Sequence, residues 1–448
     1  MNGSFAIAAR RPTRWDLLQL AVFAAVLLQV WRVQDLVHVL DYPGVPIAVG
    51  LVPLALYGLN RDPRRSLRLF RHPLVRVACG LLLLVILSIP GSLYPLLSVD
   101  FLLKDFVRSI ILMIVVAASI RDTADVERYA WLQLAGATLI CALVLSRYTM
   151  ENNGRLEVKT YYYDVNDLSL LFVCTLPLAV YLLRPRRALL GRLLALVAVA
   201  WLVLGLVKMG SRGGFLGLLA GGAYMLVKLR AVPLRKRLGA LGLMAALLVG
   251  LSTGRYWQMM ESILHPSSDY NWSGRDEAGR MEVWKRGLGY MAAHPFFGVG
   301  AEAFPVAEGT LAPEAERQQE GMGSGFKWSG AHNSYVQIGA ELGVLGLVLF
   351  VALLASGFRT LARIERGPPG DAAFLAQLLS ASLVAYAVAG FFLSAAYWAY
   401  LYMLLGMALG LARVTSRTGS PIAAVNRPQG HRIERPSVRY RPVGPSAP

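Results

Sequence analysis

Four short stretches of this chain carry the residue types that proton transfer and phosphate binding need. One is Ala331-His332-Asn333, where a long polar loop meets an apolar run. The same loop holds Gly274-Arg275-Asp276-Glu277 and, just after it, Arg280-Met281-Glu282-Val283-Trp284. A third is the turn Lys208-Met209-Gly210-Ser211-Arg212-Gly213-Gly214, and a fourth is Tyr161-Tyr162-Tyr163-Asp164-Val165-Asn166-Asp167. A guanidinium is a planar fork that keeps its charge and grips phosphate oxygens in pairs. Two or three of Arg212, Arg280 and Arg275 could neutralise a lipid diphosphate and stabilise it as a leaving group with no metal ion. An unperturbed imidazole, with a pKa near ~6.5, is mostly neutral at pH 7 and can take a proton from a hydroxyl. His332 is the candidate for that role.

The elements that position these residues are membrane helices. The chain has 448 residues, 56% of them hydrophobic, and a mean hydropathy of +0.49. Apolar runs of about 16 to 24 residues recur along it, the length a bilayer core requires. The pattern predicts an all-α polytopic membrane protein with about twelve transmembrane helices. These are expected near 15–31, 43–59, 74–90, 106–120, 129–146, 167–183, 193–207, 213–228, 238–254, 334–357, 371–393 and 395–412. The short alternating segments of a transmembrane barrel are missing. Nine spans thus fill residues 1–254, a large loop containing short helices covers 255–333, three spans fill 334–412, and 413–448 read as a disordered tail rich in Pro, Arg and Ser.

Charge sets the orientation. The net charge is +18, yet the Lys and Arg sit mostly in alternate loops, such as Arg61–Arg71, Arg184–Arg192, Lys228–Arg237 and Arg359–Arg366. That bias places these loops and both termini in the cytoplasm and the 255–333 loop in the periplasm of a bacterium, with the chain in the inner membrane. It also removes nucleic acid as a partner, since no basic stripe lies on a soluble module. Cys79, Cys141 and Cys174 fall within apolar spans and read as core residues rather than as a metal site or a disulfide framework.

Structural roles compete for several of these residues. Trp284 fits an interfacial anchor and His294 a helix end before Pro295. Asn333 or Ser334 suits the N-cap of the next helix. Gly339, Gly343 and Gly346 have spacings that allow close helix packing. Arg280, Trp284, Leu288 and Met291 suit an amphipathic helix on the membrane surface. Glu341, inside a span, is expected to face the bundle beside an Arg or a hydroxyl.

His332-Asn333 followed by Gly343 and Gly346 resembles the signature of the O-antigen ligase family and its polymerase relatives. Arg280…Trp284…His294-Pro295…Gly298-Val299-Gly300 is similar to the family's large periplasmic loop, Ser211-Arg212-Gly213 to its Arg-containing turn, and Asn166-Asp167 to its polar motif before a mid-chain span. The resemblance covers roughly residues 160–350. Val165 departs from it, standing where Pro is expected. The resemblance implies an inverting, metal-independent and cofactor-free glycosyl transfer from undecaprenyl diphosphate at the periplasmic face. The acceptor would be a sugar hydroxyl, on lipid A–core for a ligase or on another lipid-linked glycan for a polymerase. By that resemblance Arg212 and Arg280 would bind the diphosphate and His332 would activate the acceptor; Arg275, their neighbour in the loop, is a further diphosphate-binding candidate. Asn166, Asn333 and Trp284 would be substrate contacts. A transporter of lipid-linked sugar is the competing class, but transport sites lie near mid-membrane, whereas these charges cluster at one face.

Overall fold

The computed structural model describes residues 14–35, 37, 44–67, 71–149, 156, 163–185, 187–266, 269, 271–272, 279–313, 315 and 329–418. Arg275, and with it the Gly274–Glu277 motif, lies outside them, as do Tyr161, Tyr162 and the chain beyond 418.

Among the described residues the fold is helical. In chain order the helices are α1 (Leu17–Gln29), α2 (Gly44–Leu59), α3 (Pro73–Ser88), α4 (Pro95–Phe101), α5 (Val107–Ser119), α6 (Thr123–Arg147), α7 (Val165–Leu182) and α8 (Leu189–Met209). They continue as α9 (Arg212–Lys228), α10 (Leu234–Leu251), α11 (Gly254–Glu261), α12 (Arg280–Ala293), α13 (Phe304–Thr310), α14 (Ser334–Glu365), α15 (Asp371–Ala389) and α16 (Ala399–Thr418). Every stretch expected to span the bilayer coincides with or overlaps a helix. Seven helices, α3, α6, α7, α8, α14, α15 and α16, are long and apolar enough to cross a membrane. The pair α10 and α11, bent by 114° at a short break, makes an eighth if it is one span. The chain is therefore a multi-pass membrane protein. The last helix runs to Thr418, past its expected end at 412, and Arg413 donates from it to the Ala117 carbonyl (2.8 Å) at the end of α5.

Small residues bring the bundle centre together. Gly213, Gly217 and Gly221 recur every four residues and so share one face of α9. A Cβ at Gly217 would lie 3.0 Å from the Ala389 Cβ and 3.1 Å from the Ala385 carbonyl oxygen, and one at Gly221 would lie 3.4 Å from the Ala381 carbonyl oxygen. Helices without large side chains between them approach closely, and close packing is what holds helices together in lipid. This contact places the start of α9 at the end of α15.

The glycines of α14 do two different jobs. Gly339 meets the Met291 sulfur of α12 and is a packing glycine as expected. Gly343 is not: its φ of 72° breaks the helix, and a Cβ there would overlap the Pro295 carbonyl oxygen. The break exposes backbone groups that the Pro295–Gly300 loop satisfies. Val299 and Gly300 N–H donate to the Ala340 and Glu341 carbonyls (2.9 and 3.0 Å), and Val344 N–H donates to the Pro295 carbonyl (2.8 Å). Buried backbone groups need such partners. The loop between α12 and α13 is thereby fixed to the kink of α14.

Gly343→Ala should cost about 2 kcal/mol or more, since an L residue in that conformation also collides with Pro295. Gly242 of α10 has nothing within 4 Å of a Cβ, so Gly242→Ala should be neutral or stabilise by up to about 1 kcal/mol. Thermal unfolding of the two variants in the same detergent checks the contrast.

Candidate active site

Four helix starts and one connection meet at the end of the bundle where α14 begins. The connection is residues 390–398, between α15 and α16. Its first three residues form a 3-10 turn, and its next residues are extended or irregular. Non-helical backbone at that depth must find hydrogen bonds. Ser334, the first residue of α14, donates its hydroxyl to the Leu393 carbonyl (2.7 Å) and accepts the Ala395 N–H (3.0 Å). Tyr386 donates to the Ala395 carbonyl (2.6 Å).

His332 sits at this junction. Its N–H donates to the Ser394 hydroxyl (2.9 Å), and its φ of 47° is left-handed, a conformation disfavoured for a non-glycine residue. Strained backbone of this kind persists where the surroundings over-determine it, and it concentrates at functional sites. On one side His332 is followed by Asn333, which caps α14 by accepting the Tyr335 and Val336 N–H groups (2.9 and 3.2 Å). Asn333 is buried at 1% exposure, so its side-chain oxygen is committed to the cap. On the other side the Ala331 carbonyl accepts the Trp284 indole N–H (2.9 Å). Trp284 thus ties α12 to the residue preceding His332, a role its reading as an interfacial anchor did not anticipate. α12 lies across α14 with Val283, Gly287 and Tyr290 buried, while Leu288 of the expected apolar face is exposed.

Arg280 opens α12 and donates to the Phe392 carbonyl (3.3 Å). It is close enough to Asp167 to act on that carboxyl electrostatically. Arg212 opens α9. The N-cap of that helix is Ser211, whose hydroxyl accepts the Gly214 N–H (3.2 Å), and the preceding Gly210, at φ 59°, ends α8. The Arg212 guanidinium donates to the Ser262 hydroxyl (2.8 Å) and pairs with Asp269. Burial would raise the Asp269 carboxyl, but bonds from Arg212 and the Asn271 backbone outweigh it and hold it below the ordinary range. The pair is therefore intact at neutral pH and is lost only as the pH falls through that lowered value. Next to Arg212, a Cβ at Gly213 would lie 3.0 Å from the Phe392 Cβ, and one at Gly214 would lie 2.7 Å from the Ser169 Cβ of α7.

The start of α7 completes the ring. Asp164 caps it, accepting the Asn166 and Asp167 N–H groups (2.7 and 2.9 Å). Asn166 also donates its side-chain amide to Asp164 (3.2 Å). Val165 occupies the first helical position, where proline is favoured because its missing N–H has no helical partner to lose. The helix start survives the substitution. Residues that the sequence reading passed over are Phe392, Ser394 and Trp272. Trp272, Trp284, Phe391 and Phe392 form edge-on ring pairs with centroids 5.2 to 5.9 Å apart. No side-chain spacing signals a carbonyl acceptor such as that of Phe392, although Trp272 could have been picked out by its place beside the Arg-rich motif.

His332, Arg280 and the Arg212 turn therefore all touch the segment Phe392–Ser394. Residues 197–351 match the O-antigen ligase family. The family expected from the motifs is the one found. The O-antigen ligase match starts in α8 and ends in α14, so it contains Arg212, Arg280, Trp284, His332 and Gly343 and leaves out Asn166 and the 390–398 connection. It supports a ligase- or polymerase-type role in glycan assembly at a membrane. No curated protein matches the chain.

Arg286 shows the contrast with the site. It is locked to buried Glu308 through paired bonds of 3.0 and 2.6 Å, and Tyr290 donates to the same carboxylate (2.9 Å). That arrangement fastens α12 to α13.

Ser394→Ala removes the acceptor that holds the His332 backbone. Glycan transfer, the role that the family match supports, should fall about tenfold, the equivalent of one lost hydrogen bond, with thermal unfolding within a few degrees of wild type. Transfer assays on membranes containing matched protein levels test this.

Proposed function

We propose that this chain is an inverting, metal-independent glycosyltransferase that moves a glycan from undecaprenyl diphosphate to a sugar hydroxyl at the periplasmic face of the bacterial inner membrane. The observation that carries the reading is the meeting of three groups at the Phe392–Ser394 segment: the Arg280 guanidinium at the Phe392 carbonyl, the His332 backbone N–H at Ser394, and Gly213, next to Arg212, against Phe392. The helix starts of α7, α9 and α14 open at the same place, and helix N-termini favour anions.

In this mechanism the acceptor oxygen attacks the anomeric carbon from the face opposite the diphosphate. The new C–O bond forms as the bond to the diphosphate oxygen breaks, and the electron pair leaves on that oxygen. His332 takes the acceptor's hydroxyl proton. Arg212 and Arg280 neutralise the charge that grows on the diphosphate, and Arg275 joins them. Asp269 holds the Arg212 charge in place until the donor arrives and then shares or yields it. Trp284 and its neighbouring rings offer faces on which a sugar can stack, and Asn166 contacts the substrate. Both termini are cytoplasmic and residues 255–333 form the periplasmic loop in this orientation.

Ligase is the first reading of the acceptor, and polymerase the alternative with the same donor chemistry. Deleting the gene separates them. Unattached lipid-linked polymer marks a ligase, and single repeat units on the core or lost exopolysaccharide mark a polymerase. A transporter is disfavoured because the charged groups lie at the end of the bundle rather than at its middle.

His332→Ala should lower transfer by about 10²-fold or more at unchanged protein level, as loss of a general base does. Arg212→Lys should lower it about tenfold, because an ammonium lacks the bidentate fork. Normal product from either variant removes that residue from its assigned role.

A further inference from the structure

At the end of the bundle away from His332, α9 and α14 finish side by side. Two adjoining cavities of about 270 and 280 Å³ lie there and share Ala362 and Arg366. The cations lining them are Lys228, Arg230, Arg359, Arg363 and Arg366. Among the described residues none of these five belongs to an ion pair. The carboxylate present, Glu365, is already engaged by the hydroxyls of Ser380 (2.7 Å) and Tyr224 (3.3 Å). The cavities are therefore strongly cationic, and the field extends to α3. Burial and the charges of Arg363 and Arg76 together hold the His72 imidazole, at the start of that helix, below its ordinary range.

A second observation says what kind of anion fits. Val344, Val348 and Val351 of α14 are exposed at 47%, 55% and 48%. Steps of four, three and seven residues carry that stripe on to Phe358, with Ala362 and Arg366 continuing it. One face of a single helix thus runs from exposed aliphatic side chains into a cationic cavity. The stripe faces the acyl region of the bilayer, so an anion that carries an acyl chain can occupy the cavity and the stripe together, which a free phosphate cannot.

We propose that this is a binding site for an anionic glycerophospholipid. The phosphodiester headgroup sits between Arg363, Arg366 and Lys228, and an acyl chain lies along Val351, Val348 and Val344. Basic pockets between transmembrane helices recognise anionic headgroups in this way. The site is remote from the helix starts around His332 and does not depend on the glycosyl-transfer reading.

The test uses the full chain purified in detergent and native mass spectrometry to count bound lipid. The probes are a phosphatidylglycerol and a phosphatidylcholine with the same acyl chains, with soluble glycerol 3-phosphate as competitor. The wild type should retain phosphatidylglycerol over phosphatidylcholine by on the order of tenfold. The double variant Arg363→Gln/Arg366→Gln should lose that preference, while Arg255→Gln, an exposed change at the other end of the bundle, should keep it. If the double variant does not fold, Arg359→Gln should reduce the preference by several-fold. Equal retention of the two lipids would overturn the proposal, as would an undiminished preference in the cavity variants. Displacement of the lipid by glycerol 3-phosphate at equal concentration would overturn the lipid assignment in favour of a soluble phosphate ester.

Discussion

The Ser334 hydroxyl bridges the Leu393 carbonyl and the Ala395 N–H, and the site depends on that bridge. A membrane bundle tolerates non-helical backbone only where each polar group finds a partner. Between α15 and α16 those partners include side chains from α14, α12 and α15: Ser334 at Leu393 and Ala395, Arg280 at Phe392, and Tyr386 at Ala395. The connection is thereby bonded to the two helix starts that carry His332 and Arg280. Small-residue packing of α9 on α15 then brings Arg212 to the same place. Residues far apart in sequence are assembled by the backbone requirements of one short irregular stretch.

That construction bears on chemistry because catalysis gains from groups held in place before the reaction. The left-handed backbone of His332 is kept by its bond to Ser394, by the Asn333 cap behind it and by the Trp284 bond to Ala331 in front. Each arginine stands at a helix start and has a fixed protein partner. The paired carboxylate at Asp269 leaves Arg212 charged and oriented rather than loose. The kink at Gly343 adds rigidity by fastening the α12–α13 loop to α14.

Much of this was legible in the sequence, and the reasons for the rest are specific. Hydropathy reveals membrane helices because lipid imposes length and composition together; each of the twelve expected stretches overlaps a helix, and seven of these helices, or eight with the bent pair, are long and apolar enough to cross a membrane. α4, from Pro95 to Phe101, was missed because Pro95, Asp100, Lys104 and Asp105 interrupt the apolar pattern before α5. The cap at Asn333 and the helix end at His294 were readable from residue type alone. Gly343 was not, because helical spacing says nothing of a positive φ. The hub at Phe392–Ser394 falls at the junction of the expected spans 371–393 and 395–412 and has no residue pattern of its own. Its function lies in carbonyl oxygens, which every residue has. Chemically distinctive residues such as His332, Arg212 and Arg280 stand out in a sequence, whereas the backbone that gathers them does not.

The proposed transfer requires Arg212, Arg280 and His332 to surround one lipid diphosphate. A cryo-EM structure of the protein in nanodiscs with a non-hydrolysable undecaprenyl diphosphate sugar analogue addresses it directly. Phosphate oxygens are expected within hydrogen-bond distance of both guanidinium groups, about 2.7–2.9 Å, with the anomeric carbon on the side facing His332. A diphosphate bound elsewhere, or one that touches neither arginine, would contradict it.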